Sequence, residues 1–477
     1  MLKYIKNKAS LLSSLCLILA SCKAPTLIES HPDKPLPVAY TNSLDSTNLG
    51  HVSWRMFFAD QQLSNLIDTA LIRNQELQIT LQDINISRND VRLRQAARLP
   101  IVQAKLGAGV EKVGRYTSQG AGDATTDIAP GVETPEPLAD FAATVAANWE
   151  VDVWKKLRNS KKAAVTRYLS TMEGKNFVLS NLVAEVANAY YELVALDNEL
   201  DVVQQNIAIQ KDALEIVKVQ KQASRVTELA VQKFQAEVLK SQGIKFELLQ
   251  QIKETENRIN FLLGRYPTAI ARNKESLQTA LSTPLSAGVP SQLLANRPDI
   301  KQSELELAAA KLDVKVARAE FYPSFAISAT LGFQAFKPSY LFRLPESLLY
   351  GLAGDLAAPL INRNAIKAEF NTANARQLQA MFNYERTILN AYMEVNSQLS
   401  GIENLGKRYD LKSKQVEALT KSIDLANDLF RSARADYLEV LMTQRDVLES
   451  KLELIETRKA QLNATVNIYK YLGGGWK

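Results

Sequence analysis

The sequence predicts a mainly helical, tandem-duplicated protein with a minor membrane β part. Long coiled-coil hairpins would form an α-barrel, and four strands per chain would contribute to a β-barrel. Three observations lead there. Proline-free tracts carry apolar residues at alternating steps of three and four, short tracts before them alternate with period two, and both patterns occur twice.

In chain order, the first element is a leader. MLKYIKNKASLLSSLCLILASCKAP has a lysine-bearing start and an apolar stretch from Leu11 to Ala20, too short to span a membrane, so residues 1–21 read as an export signal. Leu19-Ala20-Ser21-Cys22 resembles a bacterial lipobox, with Cys22 as the lipidated residue. A plain signal peptide that happens to contain a cysteine is the alternative. Lys23 follows where an inner-membrane retention signal would place aspartate, which by analogy with such lipoproteins favours the outer membrane. Residues 22–59 read as an extended, lipid-anchored segment.

Composition narrows the chemistry. The 477 residues are 46% hydrophobic, enough for a large core. The leader removes Lys3, Lys6 and Lys8 and with them half of the formal charge of +6. No basic run is interleaved with aromatics, so nucleic acid is not indicated. The two histidines, His31 and His51, both lie in the polar N-terminal segment, a poor basis for a metal cage or a Ser/His/Asp triad. Gly107 and Gly109 lack the third glycine of a dinucleotide loop. No enzyme, cofactor or metal site is expected.

The first repeat is placed at 60–282, with a helix from Asp60 to Leu99. Two strands follow. In PIVQAKLGAGVEKV, Val102, Ala104, Leu106, Ala108 and Val110 alternate with polar or small residues; in LADFAATVAANWEVDVW, Phe141, Ala143, Val145, Ala147, Trp149 and Val151 do the same. Each has about the 10 residues that carry a tilted strand across a bilayer. The polar segment between them suits an extracellular loop. A soluble antiparallel sheet is the alternative reading of the same alternation.

A long helix is expected from Trp154 to about Gln222, roughly 100 Å at 1.5 Å per residue. Its seam runs through Leu179, Leu182, Val186, Ala189, Leu193, Leu196, Leu200, Val203 and Ile207. A return helix is expected from Thr227 to Leu263. After a linker at 283–297, containing Thr283, Pro284, Gly288 and Pro290, the second repeat occupies 298–477. Pro298 suits a first helical turn, where its missing N–H needs no partner, and Asp299 complements the positive helix end.

The second repeat then gives a helix from Pro298 to Tyr322, a strand through Phe325, Ile327, Ala329, Leu331 and Phe333, and a weaker strand around Tyr350 to Leu360. Helices from Asn362 to Ser432 and from Arg434 to Tyr471 complete it. The seam of the longer one runs from Ile388 to Phe430, with Gln398 and Lys412 as polar interruptions. NAYYEL at 188–193 matches NAYMEV at 390–395, an offset of 202, and FLLG ending at Gly264 matches KYLG ending at Gly473, an offset of 209.

Four strands cannot close a barrel, and open strand edges in lipid would leave N–H and C=O groups unpaired, so other copies must supply the rest. Three chains would supply about twelve strands, within the known range.

With Trp54-Arg55-Met56-Phe57-Phe58, the Arg297-Pro298-Asp299-Ile300 block and the tips SRVTELAV and SARADYLEVLMTQRD on view, the chain resembles an outer membrane factor of the TolC-like efflux family, in the lipoprotein branch of tripartite multidrug pumps. The resemblance implies a homotrimer in outer-membrane lipid, docked through a periplasmic adaptor to an inner-membrane RND-type transporter. It implies a passive duct exporting small molecules, without catalysis. It places Arg225, Val226 and Thr227, and in the second copy Arg434, Ala435 and Asp436, at adaptor-contact tips, and Leu438, Glu439, Met442 and Arg445 near a periplasmic constriction.

The tip glycine usual in that family is Ser224 in one copy and Ala433 in the other, and a gate acid of relatives is Met442. Leu438 as an apolar plug and Glu439 as an acidic ring is one reading; Leu438 as seam and Glu439 as outer face is the other. A duct for type I protein secretion or for metal ions, and a periplasmic coiled-coil scaffold lipoprotein, stay open as alternatives.

Overall fold

The computed structural model describes residues 37–40, 47–278, 287–358, 363–432 and 434–477. The leader, Cys22, Thr283, Pro284 and Ala433 lie outside these. Among the described residues the strands are β1 (Ile101–Glu111), β2 (Asp127–Ala129), β3 (Val132–Glu133), β4 (Leu138–Val151), β5 (Ser324–Ala335) and β6 (Leu348–Ala357). The helices are α1 (Trp54–Phe57), α2 (Gln61–Arg73), α3 (Gln75–Ala96), α4 (Ser118–Asp123), α5 (Lys156–Gln222), α6 (Glu228–Leu262), α7 (Gln292–Asn296), α8 (Pro298–Ala319), α9 (Arg363–Arg431) and α10 (Tyr437–Tyr471). The chain divides into two compact units, and α3, α5, α8 and α9 contribute residues to both.

One unit holds the four-stranded antiparallel sheet, ordered β1-β4-β5-β6. Its register puts the alternation to use, because residues directly opposite each other share a face. Leu106 opposes Ala143, which opposes Phe333, which opposes Leu348; Ala104, Val145, Leu331 and Tyr350 form the next row. One face is therefore apolar across all four strands. The other carries Lys105, Thr144, Asn148, Ser328 and Asp355, and on it the Gln334 amide donates to Asp140 at 2.9 Å. The apolar face is left uncovered: Leu106 is 86% exposed, Tyr350 81% and Leu352 79%. The segment between β1 and β4 is more than a loop, since it folds α4, capped by Thr117, and the small β2–β3 hairpin. Neither has a hydrophobic period that sequence reading could detect.

The sheet hands over to helix at a fixed point. Lys155 has φ +63°, which no helix continues through, so α5 begins at Lys156 and not at Trp154. Both Asp152 carboxylate oxygens accept the first free amides, from Leu157 and Arg158, each at 2.9 Å. Trp154 instead stacks on Tyr322 at 4.6 Å and donates its indole N–H to the Pro323 carbonyl.

The other unit is helical, and no described helix is long and apolar enough to cross a membrane. The expected seams form. On α5, Leu182, Val186, Ala189, Leu193, Leu196, Val203 and Ile207 are buried. On α9 every seam position from Ile388 to Phe430 is buried or half-buried, and its two polar interruptions find partners on α10: Gln398 donates to the Ala464 carbonyl and Lys412 pairs with Glu453.

The helix expected to run from Asp60 to Leu99 breaks at Asn74, whose ψ of 127° is extended. Asp60 starts α2 with one carboxylate oxygen on the Gln62 and Leu63 amides and the other on the Tyr190 hydroxyl at 2.7 Å. α6 and α10 end alike: Gly264 and Gly473 take φ +62° and +88°, and in each case the following amide reaches back five residues.

Candidate gate and docking tips

The two hairpin turns are built on the same backbone. After α5, the Arg225 amide donates to the Gln220 carbonyl at 2.9 Å; after α9, the Arg434 amide donates to Leu429 at 2.8 Å. Both are the six-to-one bond of a helix stop. Thr227 and Asp436 then occupy the N-cap positions of α6 and α10, and their carbonyls accept from Ala230 and Glu439, each at 3.1 Å. Ser224 sits at φ +59°, the left-handed conformation that a glycine adopts without strain. Lys221 and Glu228 pair across this turn, and hydrogen bonds from Gln232 and Lys221 hold the Glu228 carboxyl below its usual range.

Sequence-predicted tip residues divide by exposure. Arg225, Thr227, Arg434 and Asp436 are exposed; Ala435 is half-buried. Val226 packs inward against a small apolar core formed by Leu214, Val217, Ala230, Val231, Phe234 and Val238, which Phe430, Tyr437 and Leu441 of the other hairpin also join. The two tips are thus one packed body.

The candidate constriction residues lie on one side of α10. Leu438, Glu439, Met442 and Arg445 are exposed, at 38% for Leu438 and 46% for Met442, whereas Val440, Gln444 and Leu448 are buried. The buried stripe at steps of four is the packing seam of this part of the helix. Arg445 makes a 3.4 Å contact with Asp446. Both amide atoms of Gln444 are buried without a hydrogen-bond partner among the described residues, a polar element that sequence reading passed over.

Away from the tips, a half-buried and a buried arginine join the elements. Arg272 reaches Asp197 at 2.6 Å and Glu256 at 2.5 Å, and these bonds raise its pKa despite burial. Arg297, from the quoted Arg-Pro-Asp-Ile block, bonds Asp299 at 2.6 Å, Glu394 at 2.7 Å and the Tyr471 carbonyl at 3.3 Å. Asp299 stands in the same motif, but Glu394 and Tyr471 come from helices far along the chain.

A strand sheet with one unbroken apolar face, carried with two helical hairpins that turn back at joined tips, defines an outer-membrane channel. The chain belongs to the outer membrane efflux protein family, whose model matches residues 66–265 and 289–474. It is 29% identical over 98% of its length to the pyoverdine export outer membrane protein OpmQ of Pseudomonas aeruginosa, covering 96% of that protein. It is 26% identical to the cation efflux system protein CusC of Escherichia coli K12, covering 93% of this chain and 94% of the relative. Among solved structures, CusC superposes with a TM-score of 0.81 at 24% identity, covering 95% and 99% of the two chains. The open-state MtrE channel of Neisseria gonorrhoeae superposes at 0.82 and 21% identity, covering 95% and 98%.

Family members are trimeric outer-membrane channels of tripartite efflux systems, and not enzymes. This chain is an efflux duct of the outer membrane with its helical part in the periplasm.

Proposed function

We propose that three copies close the channel by pairing β6 of one chain with β1 of the next, anchored by a lipid on Cys22, and that the duct passes small molecules supplied by an inner-membrane RND-type pump through a periplasmic adaptor. The observation that carries this reading is the sheet itself: β1 and β6 are its outer strands, and an apolar face runs without interruption to both. Strand edges in lipid leave backbone groups unpaired at several kcal/mol each, so closure by identical neighbours is strongly favoured. Repeat units 60–282 and 298–477 would each contribute one strand pair and one hairpin.

At the tips, Arg225, Val226, Thr227, Arg434, Ala435 and Asp436 would meet the adaptor. Leu438 would narrow the aperture and Glu439 would set a ring of negative charge, with Met442 and Arg445 one turn further along. The exposure of these four beside a buried Val440-Gln444-Leu448 seam supports this over Leu438 as a seam residue. Three like charges around a narrow pore concentrate cations there.

Planar-bilayer recording of the purified protein tests the assignment. Glu439→Gln is expected to reduce cation preference severalfold and Leu438→Ala to raise single-channel conductance. Unchanged selectivity and conductance in both variants reject it. Pyoverdine export and cation efflux belong to the relatives named above. For this chain, small-molecule export is the reading its similarity to several such channels supports, with metal ions or secreted protein as the competing cargoes.

A further inference from the structure

The segment joining β5 to β6 is a compact, folded rim. Pro338–Tyr340 forms a 3-10 turn, the buried Ser347 hydroxyl donates to the Tyr340 carbonyl at 2.6 Å, and the Ser347 carbonyl accepts the Gln334 amide. The rim displays apolar and cationic side chains together. Phe342 is 71% exposed and Leu344 65%, with Arg343 between them. Phe342 meets Phe333 edge to face at 5.4 Å, and Phe333 belongs to the apolar row with Leu348, so this ring continues the lipid-facing surface of the sheet. Beside it, Arg343 lies over the Tyr340 ring at 4.9 Å, and Lys337 lies near Phe336 and Tyr340 at 5.6 and 6.0 Å. Neither cation has a carboxylate partner among the described residues, and Glu346 is the segment's single acid.

We propose that this rim is a binding site for a phosphate-bearing lipid of the outer leaflet, with Lys337 and Arg343 on the phosphate and Phe342 and Leu344 against the acyl chains. The inference rests on the outer-membrane placement, which puts this end of the strands, opposite the helices, at the cell exterior, and it is independent of the tip and gate assignments. The pairing of chemistries selects the ligand. Amphipathic aromatics sit where hydrocarbon meets headgroup, and cations at that level gain from anionic headgroups. A free anion would use the cations but leave the exposed Phe342 and Leu344 without a role, whereas a neutral lipid would do the reverse.

Native mass spectrometry of the purified protein tests it, with bisphosphorylated lipid A and its dephosphorylated form as probes. Wild type is expected to retain the phosphorylated lipid preferentially. Lys337→Gln with Arg343→Gln should lower that retention roughly ten- to thirtyfold, while Lys337→Arg with Arg343→Lys keeps it. Glu346→Gln, which leaves both cations in place, should strengthen retention a few fold, and this arm stands even if the glutamine pair fails to fold. Equal retention of the two lipids, undiminished retention in the glutamine pair, unchanged or weaker retention in Glu346→Gln, or displacement by inorganic phosphate alone overturns the proposal.

Discussion

The joints at Asn74 and Arg297 solve one structural problem with different chemistry. Each residue stands just before a helix, and each carbonyl accepts the amide four residues on, from Gln78 at 3.1 Å and from Lys301 at 3.2 Å. Each side chain also donates to a carbonyl at the end of a return helix: Asn74 to Leu262 at 3.0 Å and Arg297 to Tyr471 at 3.3 Å. Those acceptors are related by the same 209-residue offset as the two terminal glycines.

The two joints part company at the first residue of the helix, Gln75 in one and Pro298 in the other. Asn74 must also cap α3, and its side-chain oxygen accepts the Leu77 amide at 3.0 Å. Arg297 has no side-chain acceptor with which to cap α8, and its donors go to Asp299 and Glu394 instead. The first joint is neutral and ties the start of α3 to the end of α6; the second is a buried charge that gathers α8, α9 and α10.

That contrast is sharpest under mutation. Arg297 is 6% exposed, and Arg297→Met would leave Asp299 and Glu394 without their counter-charge. A loss of about 3 kcal/mol is expected, seen as a marked fall in the unfolding midpoint by circular dichroism. Asn74→Ala removes a cap and strands one carbonyl, at a cost of about 1–2 kcal/mol. A larger loss at Asn74 than at Arg297 would invert the comparison.

A third, smaller effect depends on pH. Burial, then repulsion from Glu456 and Glu192, outweighs the attraction of Lys459 and pushes the Glu199 carboxyl up to about 7. Lys459 is already engaged by Glu192 at 3.1 Å and Glu456 at 2.5 Å. A carboxyl with a raised folded-state pKa binds more protons folded than unfolded between its ordinary range and 7, so stability falls as pH rises through that window. Glu199→Gln is expected to flatten this dependence and to be the more stable protein at pH 8 by about 1 kcal/mol. Parallel stability profiles for the two proteins from pH 5 to 8 would contradict this.

Legibility in the sequence tracks how locally each feature is determined. The seams of α5 and α9 and the alternation of β1, β4 and β5 were readable because burial imposes a period on consecutive residues. Even the offset of 209 surfaced from one short match, FLLG to KYLG. The break at Asn74 was not read, although an asparagine three residues before Leu77 is an N-cap signature, because the apolar spacing resumes after it and masks the interruption. Trp154 looked like a helix residue and is a stacking partner of Tyr322, a contact from 168 residues away in the chain. The distant partners of Arg272 and Arg297, and the Gln444 amide left without a partner among the described residues, depend on which helices meet, and no single segment encodes that. The tip residues entered by resemblance, and the structure adds which of them are exposed.

The central claim is that one chain supplies an incomplete wall whose outer strands belong together. Cysteine cross-linking addresses it most directly, because the only cysteines in the sequence, Cys16 and Cys22, fall outside residues 101–111 and 348–357. Ala108→Cys in β1 would be combined in turn with Leu348→Cys, Tyr350→Cys and Leu352→Cys in β6 and oxidised in the membrane. At least one pair is expected to give a ladder of covalent dimers and trimers that stops at three, with none from any single variant, since the bond needs Cβ atoms about 4 Å apart. Monomers alone from every pair, or a ladder running past three, would contradict the account.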